Sequence, residues 1–278
     1  WLNPFIFFDL ATRFLGRNIN FYGIYRLVPN LFTICYCLLF LGIVCNIKKI
    51  YAKIIYIVFS ITSILFYLVN NIYYSSLGEA VTKCEEGQTI TMLRGIVLGT
   101  AEEIPSDKNI IIDLNGKTLS SNSSDYVIKN NGKLEIKDTS AQDEKGKITS
   151  TTSDIIYNAE NAKLVISNGT LEERSNNKKA IDNNGEVTLK GAGKIVTASN
   201  YSYSIYNNTT GTVNIAENSI ITMSDGYEAY GIYNNAGTVK ISGGTMSGTY
   251  SFKAVDNESG TIIVSGGTIE GTSGSLYC

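Results

Sequence analysis

A parallel β-helix, an all-β solenoid of about seven stacked coils preceded by an α-helical transmembrane region, is the architecture that these 278 residues predict. Three observations lead there. A unit of about two dozen residues recurs five times between residues 150 and 270, clearest in 231–246 and 254–269. Each unit carries three apolar beats separated by Gly, Asn and Ser, the period-two pattern of short strands between turns. Two long apolar runs fill the first quarter of the chain, where the repeat is missing.

From the N-terminus, Pro4 to Leu15 is apolar apart from polar interruptions that include Asp9 and Arg13, and it reads as a partial helix over 4–15. Asn30–Val44 and Ile54–Val69 are almost wholly apolar. With their flanks they approach the ~20 residues that cross a bilayer, so helices over about 30–46 and 54–74 are expected within a transmembrane region 1–78. Two such stretches without a small-residue cleavage pattern do not fit a signal peptide. Lys48, Lys49 and Lys53 place the connector in the cytoplasm, against the opposing pull of Arg13, Arg17 and Arg26. Tyr73 and Tyr74, beside Asn70, Asn71 and Ser75, then sit at an outer head-group belt. The expected location is the cell membrane, multi-pass, with the lipid bilayer as first partner and the C-terminal β-helix outside.

Residues 79–108 read as a connector and β-helix start, and 109–278 as the β-helix, with 110–119 as its first coil. The first beat falls on Ile128, Ile156, Ile181, Ile205, Ile232 and Val255. The second is an alternating pair, Leu134/Ile136, Leu164/Ile166, Val187/Leu189, Val213/Ile215, Val239/Ile241 and Ile262/Val264. The third is Ile148, Leu171, Ile195, Ile220, Met246 and Ile269, at steps of 23, 24, 25, 26 and 23 residues. No such unit buries its apolar residues alone, so neighbours must stack into a continuous core. The sequence stops in mid-repeat with no polar cap, so the β-helix is expected to be incomplete at its C-terminus.

The run Asp113-Leu114-Asn115-Gly116-Lys117-Thr118-Leu119, with 132–138 and the Ser-Gly-Gly-Thr turns at 242–245 and 265–268, resembles bacterial cell-surface proteins of the pectate-lyase-like, right-handed parallel β-helix type over residues 85–278. That resemblance implies a right-handed coil. It does not imply one activity, because the fold carries lyases, hydrolases and adhesins alike. The hydrophobic pattern from Asn3-Pro4-Phe5 to Ile72-Tyr73-Tyr74 resembles the membrane portion of lipoteichoic-acid-synthase-like phosphoglycerol transferases of Gram-positive bacteria. Their catalysis resides in an extracellular sulfatase-like domain with a metal and a Thr nucleophile. No such domain follows, so only a membrane fragment fused to a β-helix remains as that alternative.

Twenty-three Lys and Arg against 25 Asp and Glu give a net charge of −2 and a pI of about 5.4, and no basic patch interleaved with aromatics exists, so nucleic acid is not an expected partner. The chain has no His, which removes Ser-His-Asp and Cys-His nucleophile systems and His-ligated metals. Cys35, Cys37 and Cys45 belong to the apolar region, while Cys84 and Cys278 stand near opposite ends of the β region, so no disulfide framework is expected. No cofactor is expected.

Carboxylate chemistry is the remaining route to an enzyme, and a polysaccharide lyase or glycoside hydrolase of the β-helix type is the alternative reading. Its candidates are Asp182, Asp225, Glu228 and Asp256. Asp182 and Asp256 occupy the position after the first beat, which alternation turns outward, but three coils apart, about 14 Å. Paired glycosidase carboxylates stand roughly 5 to 9.5 Å apart. Glu172, Glu173 and Arg174 read as a solvated charged turn, as does the Asp225–Glu228 loop. Asn130, Asn158, Asn183, Asn207, Asn234 and Asn257 repeat at one position and are expected to form a buried ladder of stacked amides at a bend. Tyr201, Tyr203, Tyr206, Tyr227, Tyr230, Tyr233, Tyr250 and Phe252 gather around three successive coils. Tyr203, Tyr206, Tyr230 and Tyr233 are the expected ligand-binding residues, a flat strip for a sugar ring. A membrane-tethered, non-catalytic binding, adhesive or structural module is therefore the first functional expectation, with cell-surface or host glycans as partners.

Overall fold

The computed structural model describes residues 67–69, 72–141 and 145–277. The expected helices over 4–15 and 30–46, most of the one over 54–74, and Cys35, Cys37, Cys45 and Cys278 lie outside them. Where the last helix reaches described residues, the backbone is extended instead. Strands β1 (Tyr67–Val69) and β2 (Ile72–Tyr74) pair antiparallel, Val69 opposite Ile72 and Leu68 opposite Tyr73. Tyr, Val and Ile favour strands as readily as they fill a membrane helix, and the turn-prone Asn70-Asn71 lies between them in sequence. Among the described residues no helix is long and apolar enough to cross a membrane.

β1 continues antiparallel onto the strand Thr89–Met92, and a short helix α1 (Leu77–Lys83) follows the hairpin. α1 begins where Ser76 and Glu79 form the start of a capping pattern, with the Glu79 amide donating to Ser76 Oγ at 3.1 Å. Its buried face, Leu77, Ala80 and Val81, joins Val69, Cys84, Ile90 and Met92 in the core. The hairpin and helix thus close the N-terminal end of the solenoid. Leu77 is 2 % exposed, so Leu77→Ala should cost about 2–5 kcal/mol, read as a lower urea midpoint.

Beyond the cap the chain winds into a right-handed parallel β-helix of about eight turns. The coils span 89–104, 109–130, 133–158, 163–183, 186–207, 212–234, 238–257 and 261–277. The coil beyond the expected seven is 89–104, within the segment expected to be connector and β-helix start. Its strands Ile96–Leu98 and Glu102–Ile104 are three residues long, Ile104 stands in register with Asn130 where later coils carry the Asn, and of the apolar pair on the first strand only Ile90 is present. Each coil supplies one strand to each of three rows, and every coil-to-coil pairing is parallel. Rows one and two meet in one 16-stranded sheet because Thr238–Gly248 and Thr261–Glu270 run unbroken around their shared corner; row three is an eight-stranded sheet.

Register follows the beats. Ile128, Ile156, Ile181, Ile205, Ile232 and Val255 form one column and are fully buried. One position of the third beat needs correction. Ile195 pairs with Ile221, which pairs with Met246, while Ile220 is 38 % exposed. A one-residue slip exchanges the two faces of a strand, and two adjacent isoleucines gave no clue to which faces inward.

Candidate ligand-binding face

The expected ligand-binding tyrosines, the asparagine column, Asp182 and Asp256 lie on row three, while Asp225 and Glu228 lie outside it. Its strands Lys179–Asn183, Tyr203–Asn207, Ala229–Asn234 and Phe252–Asn257 belong to coils four to seven. Alternation turns Ile205 and Asn207 inward and leaves Tyr206 half-buried outside. Two outward columns result. One runs Lys179, Tyr203, Tyr230, Lys253; the other runs Asp182, Tyr206, Tyr233, Asp256.

The tyrosines form a two-by-two array flanked at both ends by a Lys–Asp pair. Tyr203 stacks on Tyr230 with centroids 4.8 Å apart and planes 16° apart, and Tyr206 on Tyr233 at 5.0 Å and 21°. Across the columns the rings meet edge to face, Tyr203–Tyr206 at 5.4 Å and Tyr230–Tyr233 at 5.8 Å. Lys179 Nζ lies 4.2 Å from the Tyr206 centroid and Lys253 Nζ 5.0 Å from that of Tyr230. The same ammonium groups reach Asp182 Oδ2 at 2.8 Å and Asp256 Oδ2 at 3.2 Å. The rings therefore stack from coil to coil rather than lying side by side as a flat strip. A sugar cannot lie on a ring face already covered by another ring or an ammonium. Burial, with Glu258 adding, pushes the Tyr233 phenol up to about 12, and burial likewise raises Tyr203, so both remain protonated donors at neutral pH.

Behind this face runs the asparagine column. Nδ2 of Asn130, Asn158 and Asn183 donates to Oδ1 of the next Asn at 2.8 Å, and Nδ2 of Asn207 and Asn234 does so at 2.7 Å, ending on Asn257. The first five are fully buried. Spare amide hydrogens go to backbone carbonyls of the following turn, such as Asn130 to Lys163 and Asn158 to Glu186. Gly185 packs against this column: a Cβ there would stand 3.0 Å from Asn158 Nδ2 and 2.4 Å from two carbonyl oxygens.

The carboxylate candidates are not brought together. Asp182 and Asp256 share a column but are separated by Tyr206 and Tyr233, and each is held by its own lysine; Asp182 also accepts from Tyr126 Oη and Asn208 Nδ2. Asp225 ends the strand Ile220–Asp225 exposed, its Oδ1 accepting from the Gly226 amide at 2.8 Å. Glu228 sits in the following turn with φ 56°. Among the described residues no group of three or more His, Cys, Asp or Glu could hold a metal ion. Phe252, counted with the surface aromatics in sequence, is fully buried, close enough to Gly248 that a Cβ there would fall 2.5 Å from its ring.

Sequence reasoning also misplaced Glu173. Glu172 faces outward but is largely covered, bound to Lys147 at 2.7 Å and Arg174 at 3.1 Å, whereas Glu173 has no exposure at all. It follows Leu171 by two residues on the strand Thr170–Glu173 and so points inward, in register with Ser150 and Thr197. The Ser175 amide donates to its Oε1 and Ser199 Oγ to its Oε2, both at 2.5 Å. Burial pushes its carboxyl up to about 7 in spite of these bonds. The signal was present in the Leu-x-Glu alternation.

No family model, curated protein or solved structure matches the chain.

Proposed function

We propose that the chain is a non-catalytic binding rod that recognises glycans on the tyrosine-rich side of coils four to seven. The observation that carries this reading is the tyrosine array with its terminal Lys–Asp pairs. These groups offer phenol and ammonium partners to a polyhydroxylated ligand, Asp182 and Asp256 being buried at 8 % exposure and serving to hold the lysines, on a scaffold whose other repeated residues are accounted for by core, turn and ladder. A lyase or hydrolase is disfavoured because Asp182 and Asp256 are each neutralised by a lysine and stand apart by about 14 Å, beyond the separation of paired glycosidase carboxylates. Display at a cell surface is part of the proposal and rests on the apolar runs Asn30–Val44 and Ile54–Leu65 and on the resemblance of the turn motifs to those of surface β-helices.

The test is a glycan-array measurement on the full chain and on its Tyr206→Ala/Tyr233→Ala variant. The parent is expected to bind, and the variant to bind about tenfold more weakly, the equivalent of roughly 1.4 kcal/mol. Equal binding by the two would overturn the assignment to this face.

A further inference from the structure

The corner between rows two and three carries a second set of tyrosines, and their surroundings differ from those of the array. Tyr201, Tyr227 and Tyr250 are 46 %, 57 % and 67 % exposed, on the corner turns of three successive coils. Tyr201 and Tyr227 rings meet edge to face at 6.2 Å. The turns are held to one another by their backbones: the Tyr201 amide donates to the Tyr227 carbonyl at 3.1 Å, and the Ala229 amide to that of Ser251 at 3.2 Å. Side chains add to this, since the Asn200 amide donates to Asn176 Oδ1 and the Tyr227 amide to Asn200 Oδ1.

Two of the three occupy a backbone conformation that aromatic residues seldom take. Tyr201 and Tyr250 have φ of 55° and 56°. On the preceding coil the corresponding turn residue is Asn177, at φ 60°, a residue type suited to that conformation. Tyrosine thus stands where asparagine would fold more readily, and both side chains remain exposed, Tyr201 by about half and Tyr250 by two thirds.

We propose that this corner row is where a sugar chain stacks, and that its ligand is a neutral, extended polysaccharide running along the solenoid axis. The inference rests on the glycan-binding reading and locates the aromatic stacking within it. Three exposed tyrosines on consecutive coils, rising about 4.8 Å per coil, offer ring surface at successive points along a polymer of similar repeat. The neighbouring Asn and Asp side chains can meet its hydroxyls. Neutrality follows from charge. The lysines of the adjoining row-three columns are already paired, Lys179 with Asp182 and Lys253 with Asp256; at the same corner on coil four Arg174 is bound to Glu172 and Lys178 is half-buried, and the coil-six turn contributes Asp225 and Glu228. A polyanion would meet uncompensated carboxylates there.

The test is depletion of the full chain from solution by insoluble cellulose and by chitin, with polygalacturonate as the anionic competitor. Tyr201→Asn/Tyr227→Asn/Tyr250→Asn places at the two strained positions the residue type that Asn177 shows to be compatible. It should leave the melting temperature unchanged or higher and weaken retention at least about tenfold, as expected for three lost stacking contacts of roughly 0.5–1.5 kcal/mol each. Tyr227→Ser alone, at a residue outside the positive-φ set, should weaken it about threefold. Polygalacturonate should not compete. Retention of the triple variant within about twofold of the parent, or preference for polygalacturonate, would overturn the corner assignment while leaving glycan binding intact. Failure of the parent to bind cellulose or chitin, with binding to another glycan on the array, would overturn the neutral extended ligand; failure to bind any glycan would remove both readings.

Discussion

Asn207→Leu is expected to destabilise the solenoid by about 3–6 kcal/mol, because it strands several buried polar groups at once. Asn207 Oδ1 accepts from Asn183 Nδ2, and its own Nδ2 donates to Asn234 Oδ1 at 2.7 Å and to the Gly211 carbonyl at 3.1 Å. Leucine replaces none of these. The cost of each unsatisfied buried group is about 1–3 kcal/mol, whereas removal of a matched pair would be far milder. Space adds to the effect. A Cβ on Gly211 would fall 2.2 Å from Asn207 Oδ1 and one on Gly237 2.3 Å from its Nδ2, so the amide is flanked by glycines whose missing side chains leave it room. The urea midpoint of the full chain reads the change. An unaltered midpoint would mean that the ladder contributes no net stability.

Glu173 gives the second large effect, a stability that falls as pH rises. Its folded carboxyl titrates at about 7 against an ordinary 4.5. Below the ordinary value both folded and unfolded chains carry the proton, and its contribution is complete. Between pH 4.5 and 7 the unfolded chain ionises while the folded chain does not, so stability declines by up to about 1.4 kcal/mol per pH unit, roughly 3 kcal/mol in all. Above 7 the loss levels off. Burial is the main cause; the hydrogen bonds from Ser199, Ser175 and Ser202 work against it, and Asp154 adds to it. Glu173→Gln keeps the shape, with Oε1 accepting from the Ser175 amide and Nε2 donating to Ser199 Oγ. It should raise the urea midpoint at pH 8 and flatten the slope between pH 5 and 8. Glu102, also pushed up to about 7 by burial and then by Glu103, leaves a residual slope of the same sign. Asp138 and Glu172, held below their ordinary values, act only at lower pH and in the opposite sense. A variant with the parent's slope would contradict the buried, protonated glutamate.

These two residues mark what could and could not be read from the chain. The solenoid was legible because stacking demands the same residue chemistry at the same place in every coil, and Asn207 announced itself by repetition. Glu173 is the one charged residue in a column that runs Leu98, Ser121, Ser150, Glu173, Thr197, Met223, Gly248, a mixed column with no repeated residue type to mark it as inward, so its charge outweighed the alternation that buries it. The first coil was legible only as the start of the β-helix and not as a full coil, because 89–104 lacks the Asn and the complete apolar pair of the others. Strands 67–69 and 72–74 were read as helix because aromatic and β-branched residues are apolar in either setting. The tyrosine columns followed from the register, but the stacking of their rings is set by packing between coils. That packing is why an expected flat strip is instead an interlocked array, with Lys179 and Lys253 covering ring faces. The corner row has the weakest signature of all, since a tyrosine at positive φ looks like any other loop residue in sequence.

The central claim, a rod that binds glycans without cleaving them, is tested most directly by incubating the full chain with insoluble cellulose or chitin and with the glycans retained on the array, measuring bound protein and newly formed reducing ends in the same samples. Saturable binding with no rise in reducing ends and no unsaturated product is the expected result. Release of reducing ends or of unsaturated sugars, or the absence of any bound protein, would contradict it.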